Sequence, residues 1–303
     1  MKYYYELTKS GLVFGNLITV IAGFLLGART VAIVNGILPV DPWLLFATCA
    51  GIACVMASGC VFNNYIDRDI DGKMERTRHR ALVARHISGR AAIVFAAALG
   101  IAGFFILAIY TNTLATLAAA TGFIFYVFAY SLWGKRRTVY GTFIGAIAGA
   151  TPPVVGYAAA SGRVDMAAAI LFVIMLAWQM PHFFAIAIRR RDDYAAAHIP
   201  VMPVSRGMRR TKSSMAIYII EFTLAACLLF MFGYAGIPYL AIAAALGIVW
   251  LGFAVRGFSI PDAATEPSHP HAAANKKWAT QMFALSLIIM VALFGAIAVT
   301  AVI

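Results

Sequence analysis

The chain has 303 residues, of which 62% are hydrophobic and only 12% are charged, whereas soluble globular proteins carry about 25% charged residues. This composition excludes a soluble globular domain, a disordered chain and a collagen-like fibre, and it indicates a protein whose surface faces lipid. The 24 Lys and Arg outnumber the 12 Asp and Glu. In a membrane protein, basic residues are first assigned to one side of the bilayer or the other, so their excess does not by itself predict nucleic-acid binding.

Nine apolar runs are long enough to cross the hydrocarbon core, which takes roughly 20 helical residues. They are continuously apolar rather than alternating, which favours helices over the strands of a membrane barrel. The sequence therefore predicts an all-α integral membrane protein with a single polytopic domain over residues 1–303. The predicted spans, in chain order, are 11–33, 43–65, 91–109, 113–133, 140–160, 166–188, 214–234, 237–255 and 279–302.

Basic residues are concentrated in alternate connections between these spans. The connections that hold them are the N-terminal segment (two), 66–90 (seven), 134–139 (three), 189–213 (seven) and 256–278 (three). Only Arg29 and Arg163 remain for the other side. Because positively charged loops usually stay in the cytoplasm, this asymmetry predicts a cytoplasmic N-terminus, cytoplasmic active-site loops at 66–90 and 189–213, and a C-terminus on the opposite side.

Half of the acidic residues lie in two short segments, and the first follows the second span. Asn63, Asp67, Asp71 and Glu75 are spaced four residues apart. If the helix continues through them, the first three share one stripe, while Asp69 points elsewhere. Neighbouring carboxylates repel one another unless a cation lies between them. Oxygen ligands at a membrane surface suit Mg²⁺, which commonly binds one or two carboxylates together with substrate phosphates.

This segment has two interpretations other than a magnesium site: a calcium-binding loop and a charged helix end without a ligand. Residues 67–72 read D-x-D-x-D-G, which is how an EF-hand loop begins, but Arg78 stands where that loop needs a bidentate glutamate. Calcium binding is therefore disfavoured. A solvated, charged helix end remains as the purely structural alternative.

The second acidic segment is Asp192-Asp193, after the sixth span, and basic residues surround both segments. These basic residues are Arg76, Arg78, Arg80, Lys135, Arg136, Arg137, Arg206, Arg209 and Arg210. Acidic and basic groups on one membrane face are typical of a pocket for a metal-bound diphosphate, in which carboxylates hold Mg²⁺ and cations neutralise phosphate charge. Every one of these basic residues also satisfies the topology rule, so spacing alone does not identify the ones that face inward.

The segment 60–71 (CVFNNYIDRDID) resembles the N-x-x-x-D-x-x-x-D signature of the UbiA-type intramembrane prenyltransferases. Within that superfamily, the chain is most similar to the members that farnesylate heme. The segments that carry this similarity are 60–71, 73–77, 135–141, 178–182 and 193–203. The resemblance implies nine transmembrane helices around a central, lipid-open chamber.

The resemblance also implies a reaction in which farnesyl diphosphate, water and heme B give heme O and diphosphate, for the maturation of heme-copper terminal oxidases. Mg²⁺ is the implied cofactor and would assist ionisation to an allylic cation, whereas heme B is a substrate. The implied partners are the lipid bilayer of a bacterial cytoplasmic (inner) membrane and, downstream, heme A synthase or terminal oxidase assembly. No nucleic acid is implied.

The family motif transfers to individual residues. Asn63, Asp67 and Asp71 match the catalytic positions that bind metal and diphosphate. Asp193 matches the second acidic motif and is a possible further metal ligand. Most of the superfamily carries another aspartate four residues later, where this chain has Ala197, which favours heme over quinone substrates and argues against a complete second metal site.

The remaining candidates bind substrate or act on heme. The resemblance assigns the diphosphate to basic residues and further substrate contacts to Trp178, Gln179 and Tyr194. The basic residues are Lys135, Arg136, Arg137, Arg76 and Arg80. His182 is a catalytic candidate because ionisable residues inside a span are usually functional. It could contact the heme iron, orient a propionate or polarise the adding water, and a polar helix–helix contact is the structural alternative.

Three alternatives to heme farnesylation follow from the sequence. The nearest is a prenyltransferase of the same fold that acts on an aromatic quinone precursor or a chlorin. A membrane transporter would account for the hydropathy and for charge within the membrane, but it would not explain acidic clusters restricted to one face. A non-catalytic assembly scaffold for a terminal oxidase is the third.

Overall fold

A computed structural model describes residues 2–35, 40–261 and 270–302. Throughout these ranges the regular structure is helical. The helices are α1 (Lys2–Leu7), α2 (Ser10–Asn35), α3 (Pro42–Asp71), α4 (Gly89–Tyr110), α5 (Thr113–Ile124), α6 (Lys135–Arg137), α7 (Gly141–Gly149), α8 (Thr151–Ser161), α9 (Met166–Arg189), α10 (Arg191–Ala196), α11 (Met202–Ser205), α12 (Gly207–Met231), α13 (Ile237–Arg256) and α14 (Pro270–Val302). A π-helical segment, Phe125–Gly134, joins α5 to α6, and a short 3₁₀ turn, Gly257–Ser259, follows α13.

Nine helical segments in the described part of the chain are long and apolar enough to cross a membrane, and they correspond one to one with the predicted spans. Several ends differ from the prediction. The second span extends from 65 to Asp71, the seventh begins at Gly207, and the ninth begins at His271. Parts of both predicted active-site loops are therefore helical, because polar residues beyond the apolar run still form helix.

Local sequence explains where several helices begin. Asp41 caps α3 by accepting from the backbone N–H groups of Trp43 and Leu44, with Pro42 in the first turn. Ser88, Asn112 and Asp165 cap α4, α5 and α9 in the same way. Each cap satisfies amide groups that the helix itself leaves without acceptors.

Close packing in pairs holds the bundle together. Helix α3 packs on α4, α2 packs on α8, and α9 contacts both α12 and α14. Glycines permit the contact between α2 and α8, because a Cβ at Gly23 would overlap the carbonyl oxygen of Pro153 and one at Gly156 would overlap that of Val20. Small residues at such interfaces let helix backbones approach closely in lipid.

Candidate active site

The C-terminal end of α3 carries the acidic stripe predicted from spacing. Asn63, Asp67 and Asp71 lie on successive turns of one helix, and their exposures are 3%, 0% and 1%. Helix α3 ends at Asp71, so the stripe consists of the three residues that the spacing groups together, and Glu75 lies beyond the helix. Glu75 is exposed and forms a surface ion pair with Arg78. At 30 residues, or about 45 Å, α3 exceeds a hydrocarbon core of about 30 Å, and its polar end can therefore reach the membrane surface.

Cations from three different parts of the chain contact the three stripe residues. Lys135 Nζ lies 2.5 Å from Asp67 Oδ2, and Arg80 Nη1 lies 2.6 Å from Asp71 Oδ2. Lys9 Nζ donates to Asn63 Oδ1 at 2.6 Å. The stripe therefore brings together residues 9, 80 and 135, which are far apart in sequence.

The carboxylate of Asp67 is oriented by its neighbours. The amide of Asn63 donates to Asp67 Oδ2 and to the hydroxyl of Ser131, each at 2.9 Å. Asp67 Oδ1 is buried and has no hydrogen-bond partner among the described residues. The guanidinium of Arg136 lies 3.8 Å from this oxygen, too far for a hydrogen bond. A buried carboxylate oxygen without a hydrogen bond is costly unless a ligand satisfies it, and it is a suitable donor for a hard cation.

The donor set fits Mg²⁺ that shares its coordination with phosphate oxygens. Two carboxylates and an amide oxygen on one helix are the oxygen ligands that Mg²⁺ prefers, and phosphates and waters commonly complete its shell. In the described ranges, no group of three or more His, Cys, Asp or Glu side chains could hold a metal ion. Asp193 is not part of such a group with Asp67 and Asp71.

Asp193 contacts the loop that follows α3. Its Oδ1 accepts from the backbone N–H of Glu75 at 3.1 Å, and its Oδ2 lies 4.0 Å from Arg190. Tyr194, the next residue, lines the cavity beside the stripe, and burial raises the pKa of its phenol. The second acidic motif thus positions the loop that carries Arg76 and Arg80.

A polar cavity of about 420 Å³ opens beside the stripe. Six basic side chains and one carboxylate, that of Asp71, line it within the described part of the chain. The basic residues are Lys9, Arg76, Arg80, Lys135, Arg189 and Arg190. Such an excess of cations in one concave site is typical of a binding site for a polyanion.

Two of the predicted basic residues do not line this cavity. Arg136 forms a two-pronged pair with Asp69, with both N–O distances 2.7 Å, and also donates to the carbonyl of Ile66. Arg137 is exposed. The K-R-R motif therefore places one cation, Lys135, at the cavity, while Arg136 fixes the motif to α3.

Two features of the site have no distinctive sequence signal: Lys9 and the aromatic residues of the π-helical segment. Lys9 had been counted only as a topology residue, yet it lines the polar cavity, and burial next to Arg80 and Lys135 lowers its pKa from 10.5 to about 8. Tyr126 and Tyr130 stack with ring centroids 5.9 Å apart and line the same cavity. Short π-helical stretches often occur at functional sites, but their hydropathy does not distinguish them from α-helix.

An apolar cavity of about 400 Å³ lies on the other side of Tyr126. Trp178, Gln179 and His182 line it from α9 and are 6%, 4% and 9% exposed. His182 Nδ1 lies 2.8 Å from the hydroxyl of Ser286, and its ring stacks on Trp178 at 4.9 Å. Trp178 donates to the carbonyl of Ser286. Helix α14 therefore fixes both rings against the cavity.

The two cavities adjoin. Six residues line both of them: Leu12, Tyr126, Gly145, Phe183, Ile186 and Phe283. A molecule with an anionic head and an apolar body could therefore place each part in a matching environment. The arrangement suits cleavage of a bond between an anionic leaving group and a hydrocarbon chain, because charge is stabilised on one side and water is excluded on the other.

Comparison with known proteins identifies relatives of the whole chain. A family model described as the UbiA prenyltransferase family matches residues 16–275. Protoheme IX farnesyltransferase of Klebsiella pneumoniae subsp. pneumoniae is 47% identical over 292 residues, which is 96% of this chain and 92% of that relative. The protein of the same name from Salmonella typhi is 48% identical over the same shares.

Solved structures show the same fold at low sequence identity. A structure of digeranylgeranylglyceryl phosphate synthase superposes with a TM-score of 0.77 at 20% identity, over 99% of this chain and 98% of that one. A UbiA homolog from Archaeoglobus fulgidus bound to GPP and Mg²⁺ superposes with a TM-score of 0.68 at 16% identity, over 95% and 99%. The predicted all-helical fold with nine spans is thereby confirmed.

Proposed function

The chain belongs to the UbiA prenyltransferase family, and from this premise we propose that it transfers the farnesyl group of farnesyl diphosphate to a vinyl group of heme B. Water is added in the same reaction, and the products are heme O and diphosphate. The observation that carries the proposal is the polar cavity with its buried acidic stripe, directly beside an apolar cavity. Relatives named protoheme IX farnesyltransferase, at 47–48% identity, support heme as the acceptor.

The diphosphate would bind in the polar cavity. Asn63, Asp67 and Asp71 would hold Mg²⁺, which neutralises charge on the diphosphate when it is bound. Arg76, Arg80 and Lys135 would contact the remaining phosphate oxygens, with Tyr194 closing the wall. Arg136 would act by holding its motif in place.

In the first step, the bond between the farnesyl carbon and the diphosphate oxygen breaks, and its electron pair stays on the oxygen. The cations of the cavity stabilise the negative charge that develops there. The allylic cation that forms would lie against Tyr126 and the apolar wall, where the absence of water prevents its hydrolysis. An electron pair from the heme vinyl group then forms the new carbon–carbon bond, and water adds to the resulting cation with release of a proton.

Heme would occupy the apolar cavity near Trp178, Gln179 and His182. The stack of His182 on Trp178 and its hydrogen bond to Ser286 hold the imidazole in one orientation. From that position it would ligate the heme iron, orient a propionate or polarise the added water. Both substrates partition into lipid, which accounts for a site built inside a membrane protein.

The protein is an integral membrane protein, and we place it in a bacterial cytoplasmic membrane. The basic residues concentrated on one side support a cytoplasmic position for the N-terminus and the polar cavity. Farnesyl diphosphate would be available there, because it has a charged, water-soluble headgroup on a lipid-soluble chain. Heme A synthase or an assembling terminal oxidase would receive the product.

Heme extraction with mass identification tests the proposal. Cells or membranes that contain the wild-type chain should convert heme B to heme O when farnesyl diphosphate and Mg²⁺ are supplied, and the Asp67→Asn variant should do so at least about 100-fold more slowly. A prenylated quinone precursor or chlorin in place of heme O would identify a different acceptor for the same fold. No consumption of labelled farnesyl diphosphate would support a transporter or a scaffold instead, although membership in a prenyltransferase family argues against both.

A further inference from the structure

Lys9 lies between α1 and α2, and the conformation of the backbone fixes its position. Its φ of 50° is in the left-handed region, which residues other than glycine rarely adopt. The preceding helix is fixed to α3, because Leu7 is 2% exposed and its carbonyl accepts from the amide of Asn64 at 3.0 Å. An unfavourable backbone conformation that the surrounding contacts maintain is common at functional sites.

The charge of Lys9 is not matched by a carboxylate of its own. Lys135 pairs with Asp67 and Arg80 pairs with Asp71, whereas Lys9 donates to the neutral amide oxygen of Asn63. The ion pairs found within 4 Å among the described residues do not include Lys9. The cations Arg80 and Lys135 line the same cavity as Lys9, so an anion in the cavity would relieve repulsion among all three.

Lys9 lies at one end of the polar cavity, and this end is the one next to the apolar cavity. It lines the polar cavity, Gly11 lines the apolar cavity, and Leu12, one turn of α2 further on, lines both. A prenyl diphosphate with its chain in the apolar cavity would therefore present its ester oxygen to this end.

We propose that Lys9 is a catalytic residue whose ammonium group contacts the diphosphate at the oxygen bonded to the prenyl chain. The inference rests on the proposed prenyl transfer and adds a residue to it. When the carbon–oxygen bond breaks, its electron pair passes to that oxygen, the prenyl carbon becomes positive, and the diphosphate gains one negative charge. Lys9 keeps its proton throughout and stabilises this charge as it develops.

Steady-state kinetics of the purified full-length chain with farnesyl diphosphate, Mg²⁺ and heme B test the role of Lys9. An interaction that strengthens as charge develops affects kcat more than KM. Lys9→Met should lower kcat about 100-fold, which is typical of losing one such donor, and should raise KM for farnesyl diphosphate less than about tenfold. Lys9→Arg should restore part of the loss because it retains the positive charge.

Lys2→Met is the matched control, because Lys2 lies on α1 and is exposed. Its kcat should stay within about twofold of the wild-type value, as expected for a surface substitution. If Lys9→Met keeps a wild-type kcat, or loses only thermal stability, Lys9 merely anchors α1 through Asn63 and the proposal is overturned.

A second measurement avoids reliance on a variant that fails to fold. Amine-reactive labelling of the wild-type chain, followed by mass spectrometry, should show that inorganic diphosphate with Mg²⁺ slows modification of Lys9 at least several-fold and leaves Lys2 unchanged. Equal labelling of Lys9 with and without diphosphate would refute the contact. Protection of Lys9 in a wild-type chain that makes no heme O would contradict the proposed acceptor and retain the diphosphate contact.

Discussion

Replacing Asp67 with asparagine tests the acidic stripe with almost no change in side-chain volume. The carboxylate is fully buried, and its Oδ2 accepts from both Lys135 and Asn63. An asparagine at this position supplies only one oxygen. Its NH₂ group would stand either where Oδ2 accepts from Lys135 and Asn63 or where Oδ1 has no hydrogen-bond partner. The substitution therefore removes the charge opposite Lys135 and one oxygen that we assign to Mg²⁺.

The expected losses of stability and of activity differ in size. Breaking a fully buried ion pair costs about 3–5 kcal/mol, but the Lys135 side chain is 13% exposed and can turn towards the cavity, so we expect about 2 kcal/mol. A protein with a typical stability of about 5–15 kcal/mol stays folded after such a loss. Losing one ligand that stabilises the leaving group should lower kcat about 10²–10³-fold, or about 3–4 kcal/mol of transition-state stabilisation. Unfolding therefore cannot account for the expected loss of activity.

The assay compares heme O formation by equal amounts of folded, membrane-inserted protein, with thermal unfolding measured in parallel. Asp69→Asn is the matched control, because Asp69 lies on the same helix but is 60% exposed and pairs with Arg136 outside the cavity. This variant should keep activity within a few-fold of wild type, because Arg136 keeps its hydrogen bond to the carbonyl of Ile66 and so still holds Lys135 at the cavity. Wild-type heme O formation by Asp67→Asn would refute the metal assignment, and equal losses in both variants would show that net charge on α3 matters rather than the stripe.

Three further predictions follow from the same geometry. His182→Ala should lower heme O formation while membrane insertion and the total amount of protein stay unchanged, as heme extracts and membrane fractionation would show; an unchanged yield would remove His182 from the site. Gly156→Ala should destabilise the fold by about 1–3 kcal/mol because its Cβ would overlap the carbonyl of Val20, whereas Gly252→Ala has open space and should have little effect. Thermal unfolding checks this pair, and equal melting temperatures would contradict the close contact. Chelation of divalent cations should abolish farnesyl diphosphate consumption, and added Mg²⁺ should restore it; activity that survives exhaustive chelation would exclude the metal.

The fold could be predicted from sequence because apolar runs and charge asymmetry report directly on a membrane environment. All nine predicted spans are present, and the prediction of a prenyltransferase is confirmed by the family match. The ends were less accurate, because a helix such as α3 continues for two turns past its apolar run. Asn63, Asp67 and Asp71 could be grouped correctly since a step of four residues fixes their relative direction on any helix.

The basic half of the site could not be assigned in the same way. A lysine or arginine near a membrane surface satisfies the topology rule whether it faces water or a cavity. Lys135 and Arg136 are adjacent in sequence, yet Lys135 contacts the buried Asp67 at 2.5 Å, whereas the close partner of Arg136 is the exposed Asp69 at 2.7 Å and its distance to Asp67 is 3.8 Å. Lys9 reaches the stripe only because the joint between α1 and α2 brings it there. Tertiary contacts determine which basic side chains face the cavity, and no local sequence pattern encodes those contacts.

The excess of cations also links the stability of the fold to its ligand. Six basic side chains and one carboxylate line the polar cavity in the ranges that the structure describes, and like charges this close destabilise the folded protein. A polyanion that binds only the folded state relieves this repulsion and stabilises the fold by about 2.7 kcal/mol in total when its concentration is 100 times its Kd. The folded protein is therefore least stable when no anion is bound in the cavity. The same repulsion among the basic side chains strengthens the affinity of the cavity for diphosphate.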